Sequence, residues 1–161
     1  MPENDETTSQ TWRLADAAKQ TLQTILDKME YKAKAAVLAA ADEQITLDIK
    51  GADLEVLIGN EGETINALQV LIRAMTAPSN PEHIRIVLDA DGYRDRRAMA
   101  LHERAFEIKE KVKHTGKEAV MEGLNAYERR VVHLALANDP EVVTYSEGVG
   151  SERNLIVSPA K

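Results

Sequence analysis

The sequence contains no cysteine, which excludes disulfides, thiolate metal ligands and cysteine nucleophiles. It also lacks any apolar run that approaches the roughly 18–20 residues of a membrane-spanning helix. Aromatic residues make up only 4% of the chain, which argues against a surface that stacks nucleic-acid bases on aromatic rings. These absences favour a soluble protein of a reducing compartment, and we predict a cytoplasmic location.

Positive charge is also scarce, because 20 Lys and Arg residues face 27 Asp and Glu residues and the net charge is −7. Overall charge therefore does not by itself indicate a phosphate-rich partner. The deficit is uneven along the chain. Residues 1–88 hold 8 basic and 14 acidic side chains, a net −6, whereas residues 89–161 hold 12 and 13, a net −1. We expect electrostatic contact with a polyanion mainly in the second half.

The first half shows the periodicities of helix, strand, strand, helix, helix and strand. Residues 1–10 are polar and predict a disordered tail, and apolar steps of three and four then predict a helix over 11–30. Alternation of period two predicts strands at 44–49 and 84–88. Residues 31–41 are predicted to form the first strand of the pair, but a helix stays open as the alternative because alanine-rich sequence favours a helix. A short helix over 53–58 precedes a longer one, whose predicted buried face comprises Ile65, Leu68, Leu71, Ile72 and Met75.

The second half predicts two helices and a small sheet after a boundary at residues 89–92. One helix runs from about Tyr93 to His114 and the next from about Asn125 to Ala137. Strands at 142–146 and 154–158 form a predicted hairpin, and 118–121 supplies a third strand. The core face of the second helix is predicted to comprise Tyr127, Val131, Leu134 and Ala135. The fold class is therefore α+β, with two small domains over 11–89 and 90–161.

A glycine-bracketed loop, Gly59-Asn60-Glu61-Gly62, lies between two predicted helices. Glycine allows a sharp turn and a close backbone approach, and the free N–H groups of the following helix attract an anion such as phosphate. The alternative is a helix-loop-helix turn that needs glycine only for its backbone geometry. No Gly-Lys-Ser/Thr follows, so the loop is not a nucleotide P-loop.

A second candidate site combines Arg129, Arg130 and His133 on the last predicted helix. Arg129 and His133 are four residues apart and project from one helix face about a turn apart. An arginine donates a fork of hydrogen bonds to phosphate, and a histidine adds a donor. The alternative is a solvated surface arginine with a histidine packed nearby.

Basic residues at a spacing of seven, Arg97, Arg104 and Lys111, share one stripe of the preceding helix. Such a stripe can extend a phosphate track beside Arg129 and Arg130. It is equally typical of a solvated helix face, since acidic residues interleave with it. No metal-ligand spacing, nucleophile motif or cofactor motif stands out, and we predict no catalytic activity, no metal and no cofactor.

Two motifs, taken in context, resemble known domains. The glycine loop inside a helix-strand-strand-helix-helix-strand order resembles the type II KH domain. Arg-x-x-x-His within residues 128–133, followed by Ser146-Glu147-Gly148 and a closing strand, resembles the R-three-H domain. The two in this order resemble the bacterial Jag family, also called SpoIIIJ-associated protein or KhpB.

The resemblance implies a type II KH domain (αββααβ) and an R-three-H domain with two helices packed on a small three-stranded sheet. It implies binding of single-stranded RNA, or of single-stranded DNA, and a role in post-transcriptional regulation linked to cell elongation or division. KH loops clamp the nucleic-acid backbone, so the implied RNA-binding residues are Gly59, Asn60, Glu61, Gly62, Arg129, Arg130 and His133. The resemblance also implies a second small KH protein as a partner. Self-association of the chain is the alternative, and it rests on the acidic first half of the sequence.

The loop departs from the family pattern in its charge. Family loops usually carry a basic residue at the middle positions, whereas this loop carries Asn60 and Glu61, followed by Glu63. The sequence therefore also supports a second interpretation, a protein-interaction or dimerisation module with weak or lost RNA binding.

Overall fold

The computed structural model describes residues 3–41 and 43–160. The chain divides into two compact units, Met1–Tyr93 and Arg94–Lys161, each with its own hydrophobic core. The α+β class and the pair of small domains predicted from the sequence are confirmed. Among the described residues, none of the helices has both the length and the apolar character needed to cross a lipid bilayer.

The first unit has the predicted order of elements. Its helices are α1 (Glu3–Lys28), α2 (Leu54–Ile58) and α3 (Glu63–Thr76), and its strands are β1 (Ala33–Ala41), β2 (Gln44–Gly51) and β3 (Arg85–Ala90). The strand order in the sheet is β1-β2-β3, with β1 antiparallel and β3 parallel to β2. The connection between the two parallel strands contains α2 and α3, and it carries the glycine loop.

Helix α1 begins at Glu3 rather than at Thr11, so residues 3–10 differ from the predicted disordered tail. No proline or glycine interrupts residues 3–10, and the helix therefore continues toward the N-terminus beyond Thr11, which is buried. Met1 and Pro2, the first two residues of the predicted tail, lie outside the described residues.

The alanine-rich segment that left helix and strand open forms β1. It pairs along its length with β2, and the register shifts between Val37 and Ala39. Pairing with a neighbouring strand outweighs the helix propensity of alanine here, because strand stability depends mainly on such tertiary context.

The core of the first unit is built by α1, α3 and the inner face of the sheet. Ile45, Leu47 and Ile49 of β2 are fully buried, as their alternation predicts. In α3 the predicted buried face is partly wrong, because Leu71 and Met75 are 50% and 59% exposed. The helix buries a narrower stripe than its apolar content indicates: Ile65, Leu68, Ile72 and Thr76.

The second unit contains two helices and a three-stranded sheet. The helices are α4 (Tyr93–Thr115) and α5 (Ala126–Leu136), and the strands are β4 (Ala119–Met121), β5 (Val142–Glu147) and β6 (Asn154–Pro159). The strand order is β4-β6-β5 and all pairs are antiparallel, so β6 is central and β4 and β5 are the edges. The predicted hairpin and third strand are both present.

Helix α5 begins at a capping box. The Asn125 side chain accepts a hydrogen bond from the Glu128 N–H, and the Glu128 carboxylate accepts one from the Asn125 N–H. The predicted core face of α5 is partly wrong, because Tyr127 and Leu134 are 58% and 57% exposed, whereas Val132 and Leu136 are buried. Glu128, whose carboxylate completes the cap, is itself buried.

Candidate nucleic-acid interface

The Gly59–Gly62 loop connects α2 to α3 through one 3-10 turn over Asn60–Gly62. Gly59, Glu61 and Gly62 have φ values of 75°, 50° and 86°, so three of the four residues adopt the left-handed half of conformational space. Asn60 and Glu61 are exposed. The loop therefore presents polar and acidic side chains, and it contributes no cation to a bound phosphate.

Close packing explains why both loop ends are glycine. A Cβ on Gly59 would lie 2.8 Å from the backbone nitrogen of Thr64, and a Cβ on Gly62 would lie 2.6 Å from the hydroxyl oxygen of Tyr93. Backbone geometry alone thus accounts for the two glycines. The helix-loop-helix alternative stays open for this loop, and its contact with nucleic acid remains a proposal.

A groove of about 390 Å³ in the second unit collects the residues of the second motif. Helix α5 supplies Arg129, Arg130 and His133 to its lining. The rest of the lining described by the structure is small, hydroxylated, aromatic, aliphatic or basic: Ala126, Thr144, Tyr145, Ser146, Arg153 and Leu155. The structure thus brings Arg129, Arg130 and His133 together, as the helical spacing predicts, and adds a second wall from β5 and β6.

The guanidinium of Arg129 is held in place by backbone carbonyls. Its Nη1 donates to the carbonyl oxygens of Leu124 and Arg153, at 2.7 and 3.2 Å. The residue is half-buried. Two neutral acceptors fix the orientation of the side chain without neutralising its charge, so the charge remains available to a ligand.

The imidazole of His133 contacts the second wall of the groove. Its Nδ1 lies 2.5 Å from the hydroxyl oxygen of Thr144 on β5. A hydroxyl can donate to or accept from a ring nitrogen, so this contact influences which nitrogen carries the proton of the neutral ring. The remaining ring nitrogen, Nε2, has no hydrogen bond within the described part of the chain.

Two further arginines of the groove, Arg130 and Arg153, are exposed. Neither forms an ion pair with any residue that the structure describes. Sequence reasoning missed Arg153, although its position directly before the closing strand was visible. Gly148 allows the chain before β6 to pack closely against it. A Cβ at Gly148 would lie 2.5 Å from the Glu152 carbonyl oxygen and 3.2 Å from the Arg153 Cα, so a larger residue would displace Arg153 from the groove.

The phenol of Tyr145 contributes to the lining as a neutral group. Its hydroxyl donates to the Glu118 carboxylate at 3.2 Å. Desolvation and the nearby charge of Glu118 raise the pKa of Tyr145 above its ordinary value. The phenol is therefore protonated at neutral pH and adds no negative charge to the groove.

Arg97 does not form part of a solvent-facing phosphate track. Its Nε donates to the buried Glu128 carboxylate at 2.8 Å, and its side chain is only 16% exposed. This pair connects α4 to the capping box of α5, so the structure assigns Arg97 a role in stability. Arg104 and Lys111 are exposed and line a different cleft, which is formed by α4 and β4.

No cluster of three or more His, Cys, Asp or Glu residues is arranged to hold a metal ion within residues 3–41 and 43–160. The described side chains of the groove offer hydrogen-bond donation and positive charge.

Comparison with known proteins agrees with this architecture. A family model described as the KH domain of KhpA/KhpB matches residues 15–88, and the family model of the R-three-H domain matches residues 99–159. The chain thus combines a KH domain of the KhpA/KhpB type with an R-three-H domain, in that order. It belongs to the KhpB family, the Jag family predicted from its two motifs.

Three relatives show how far the similarity extends, and each is named RNA-binding protein KhpB. The protein of Clostridium symbiosum is 36% identical over 146 residues, which cover 90% of this chain and 66% of the relative. That of Lactiplantibacillus plantarum is 37% identical over 116 residues, 72% and 36% of the two chains. That of Bacillus subtilis is 29% identical over 143 residues, 88% and 68% of the two chains. The chain therefore spans only part of the length of these relatives.

Proposed function

We propose that the chain is a non-enzymatic protein that binds single-stranded RNA, and single-stranded DNA at the same site, through phosphate contacts. One observation carries the proposal. Arg129, Arg130, Arg153 and His133 line one groove, and none of the lining residues that the structure describes is acidic. In a chain with a net charge of −7, such a local excess of cations favours a polyanionic ligand.

The side chains differ in the contacts we propose. Arg129 is pre-oriented by its two carbonyl partners and holds one phosphate, because little side-chain freedom remains to be frozen out on binding. His133 donates from Nε2 to a neighbouring phosphate, and the exposed Arg130 adds charge. Phosphate contacts carry no sequence information, so we expect binding that tolerates many sequences.

The loop of the first domain has a lesser role in this proposal. The loop backbone approaches the bound RNA strand at the N-terminal end of α3, through Gly59, Asn60, Glu61 and Gly62. The carboxylate of Glu61 weakens this approach through like-charge repulsion. The groove of the second domain therefore supplies most of the affinity.

Replacing the two motif residues tests the proposal. Removing one phosphate-binding cation flattens the dependence of log affinity on log salt by about 0.7 for a single strand. We expect Arg129→Ala combined with His133→Ala to weaken RNA binding and to flatten this slope by about 0.7–1.4. The matched control is Arg13→Ala with His114→Ala, which removes the same residue types outside the groove. Equal binding by both double variants and the parent would refute the site.

Because Arg129 also contacts two backbone carbonyls, its replacement can lower stability. Arg130→Ala provides an independent variant, since Arg130 is exposed and has no hydrogen bond or ion pair among the residues described. A melting curve of each variant shows whether the fold is kept.

A second candidate function, protein association through the first domain, rests on helix α3. Val70, Leu71 and Met75 are 63%, 50% and 59% exposed on this helix, and Ala67 and Ala74 are exposed at helical spacing beside them. An apolar helix face of this kind favours a protein partner. We propose self-association or a second small KH protein as that partner.

Light scattering tests the association directly. Self-association predicts a mass above that of one chain for the parent and the mass of one chain for Leu71→Glu. A parent with the mass of one chain would exclude the self-association and leave the heterologous partner as the candidate.

We also propose, on the family resemblance alone, that the protein acts in the cytoplasm as a post-transcriptional regulator linked to cell elongation or division. Deletion of its gene should alter cell length, and a variant with Arg129→Ala and His133→Ala should fail to restore it. Restoration by that variant would separate the cellular role from RNA binding.

A further inference from the structure

The basic residues of helix α4 differ in whether they have acidic partners. Lys109 pairs with Asp139 at 3.3 Å and with Glu110 at 3.4 Å, and Lys113 pairs with Glu110 and Glu141. Arg97 pairs with Glu128. In contrast, Arg104 and Lys111 form no ion pair with any residue in the described part of the chain. Their charges are thus free to interact with an external ligand.

The two unpaired cations of α4 line one cleft of about 450 Å³, together with Lys117 from the turn that follows the helix. Lys117 is likewise exposed and has no ion pair within residues 3–41 and 43–160. Apolar side chains supply part of the walls, and the remaining lining comes from the end of α4 and from β4: Ile108, Thr115, Glu118, Ala119 and Val120. Cationic side chains beside apolar side chains suit a nucleic-acid strand, because its phosphates contact the cations and its bases contact the apolar surface.

Glu118 is the one carboxylate among the lining residues that the structure describes, and it already accepts hydrogen bonds from two hydroxyl groups. Its Oε1 accepts hydrogen bonds from the hydroxyls of Tyr145 at 3.2 Å and Ser158 at 2.9 Å. These donors come from β5 and β6 and stabilise the carboxylate without help from the cleft cations. The carboxylate keeps its charge, and the three cations of the cleft exceed it in number, so the described lining has an excess of positive charge.

The cleft and the groove lie at opposite edges of the sheet. The cleft is lined by α4 and the edge strand β4, whereas the groove is lined by α5, the other edge strand β5 and the central strand β6. Their linings share no residue. Two interstrand spacings separate the backbones of the edge strands, a distance of about 10 Å. The hydrogen bond from Tyr145 of the groove to Glu118 of the cleft connects the two linings.

The spread of the cations indicates the size of the ligand. Arg104 and Lys111 are seven residues apart, which corresponds to about 10 Å along the helix axis. A single small anion cannot contact both ends of such a row at hydrogen-bonding distance. A polymer with a charge on every unit can contact both.

We propose that this cleft is a second RNA-backbone site, in which Arg104, Lys111 and Lys117 hold phosphates of the strand whose other part lies in the Arg129–His133 groove. The inference rests on the proposed RNA-binding function and extends it to a second edge of the same domain. An acidic protein segment is the competing ligand. RNA is favoured because the groove of the same domain also has a cationic lining, with no acidic residue among the lining residues described.

A pair of nearby lysines provides a matched test. Lys111→Gln removes an unpaired cation from the cleft, whereas Lys113→Gln removes a cation two residues away on the same helix that pairs with Glu110 and Glu141. Fluorescence anisotropy of a labelled, mixed-sequence single-stranded RNA is measured for the full chain at about 50 and 200 mM salt. Arg104→Gln combined with Lys111→Gln extends the series.

The expected result is a flatter salt dependence, by about 0.7 for Lys111→Gln and about 1.4 for the double variant, with a drop in affinity of about tenfold or more for the double variant. Lys113→Gln should keep the slope of the parent. Parental slopes for both cleft variants would overturn the proposal and leave an acidic protein segment as the ligand. A parent that binds no RNA would overturn the proposed function and this inference together, whereas a weakening confined to the Arg129 and His133 variants would overturn the cleft alone.

Discussion

His133 Nδ1 and Thr144 Oγ1 lie 2.5 Å apart, and this contact joins helix α5 to strand β5 within the lining of the cationic groove. The two residues are 11 positions apart in the sequence and belong to different elements, and they meet because α5 packs beside the edge of the sheet. A threonine hydroxyl that donates to Nδ1 places the proton of the neutral imidazole on Nε2. The second nitrogen can then donate to a ligand.

Thr144→Val tests this orientation because valine keeps the shape of threonine and removes the hydroxyl. We expect RNA affinity to fall by about 0.5–1.5 kcal/mol, the usual contribution of one hydrogen bond. Thr144→Ser keeps the hydroxyl and should bind like the parent. Nitrogen-15 NMR of the imidazole should report a changed tautomer population in the valine variant only. Equal affinity and an unchanged tautomer in Thr144→Val would contradict the positioning role.

The glycine loop predicts a graded decrease in stability. Gly59 combines φ 75° with ψ −177°, a region that is essentially restricted to glycine, and a Cβ there would meet the backbone nitrogen of Thr64. Gly62 lies in the left-handed helical region, and its added Cβ would meet the end of the Tyr93 side chain, which can adjust. We expect both Gly→Ala variants to be destabilised by about 1–3 kcal/mol, Gly59→Ala more strongly, as measured by denaturant unfolding. A larger loss of stability in Gly62→Ala than in Gly59→Ala would contradict this prediction and would show that the loop changes its conformation when Gly59 is replaced.

The acidic loop also predicts a gain of function. Glu61 is exposed, and Glu61→Lys replaces a repulsive charge with an attractive one if the loop approaches RNA. We expect tighter RNA binding and a steeper salt dependence in anisotropy titrations. Glu82→Lys, an exposed site in the same domain, controls for net charge. Equal gains for the two variants would mean that the loop makes no local contact with phosphate.

The buried pair of Arg97 and Glu128 predicts a stability effect without a binding effect. Removing one member of a buried ion pair costs about 3–5 kcal/mol, because the other charge stays buried without its partner. Arg97→Gln should therefore lower the melting temperature while leaving the salt dependence of RNA binding unchanged. A flatter slope in a variant that is still folded would restore Arg97 to the phosphate track predicted from its spacing.

Much of the fold could be predicted from the sequence, because the periodicity of apolar residues depends only on the local geometry of a helix or a strand. Alternation in β2 and β3 and the helical steps of α1 and α4 directly specify buried faces. Helix α3 was harder, because it carries apolar residues on two faces and periodicity cannot show which face is covered. In α5 the buried residues are Glu128, Val132 and Leu136, and hydrophobic periodicity cannot indicate that a carboxylate is buried, so the predicted core face was partly wrong.

The candidate site likewise contains residues that the sequence could place together and residues that it could not. The i, i+4 spacing of Arg129 and His133 predicted their proximity within one helix. Thr144 and Arg153 come from other elements, and only the tertiary packing of α5 against β5 and β6 brings them to the groove. The stripe of Arg97, Arg104 and Lys111 has regular spacing, yet one member is buried in an ion pair, since spacing does not reveal the partners of a charge.

The most direct test of the account is fluorescence anisotropy of a mixed-sequence single-stranded RNA with the parent chain at about 50 and 200 mM salt. We predict a Kd of about 10⁻⁶–10⁻⁴ M that weakens as salt increases, because counterions are released from neutralised phosphates. The variant with Arg129→Ala and His133→Ala should bind more weakly and depend less on salt. Absence of binding by the parent at about 50 mM salt, where phosphate contacts are strongest, would contradict the account and favour a protein partner on helix α3.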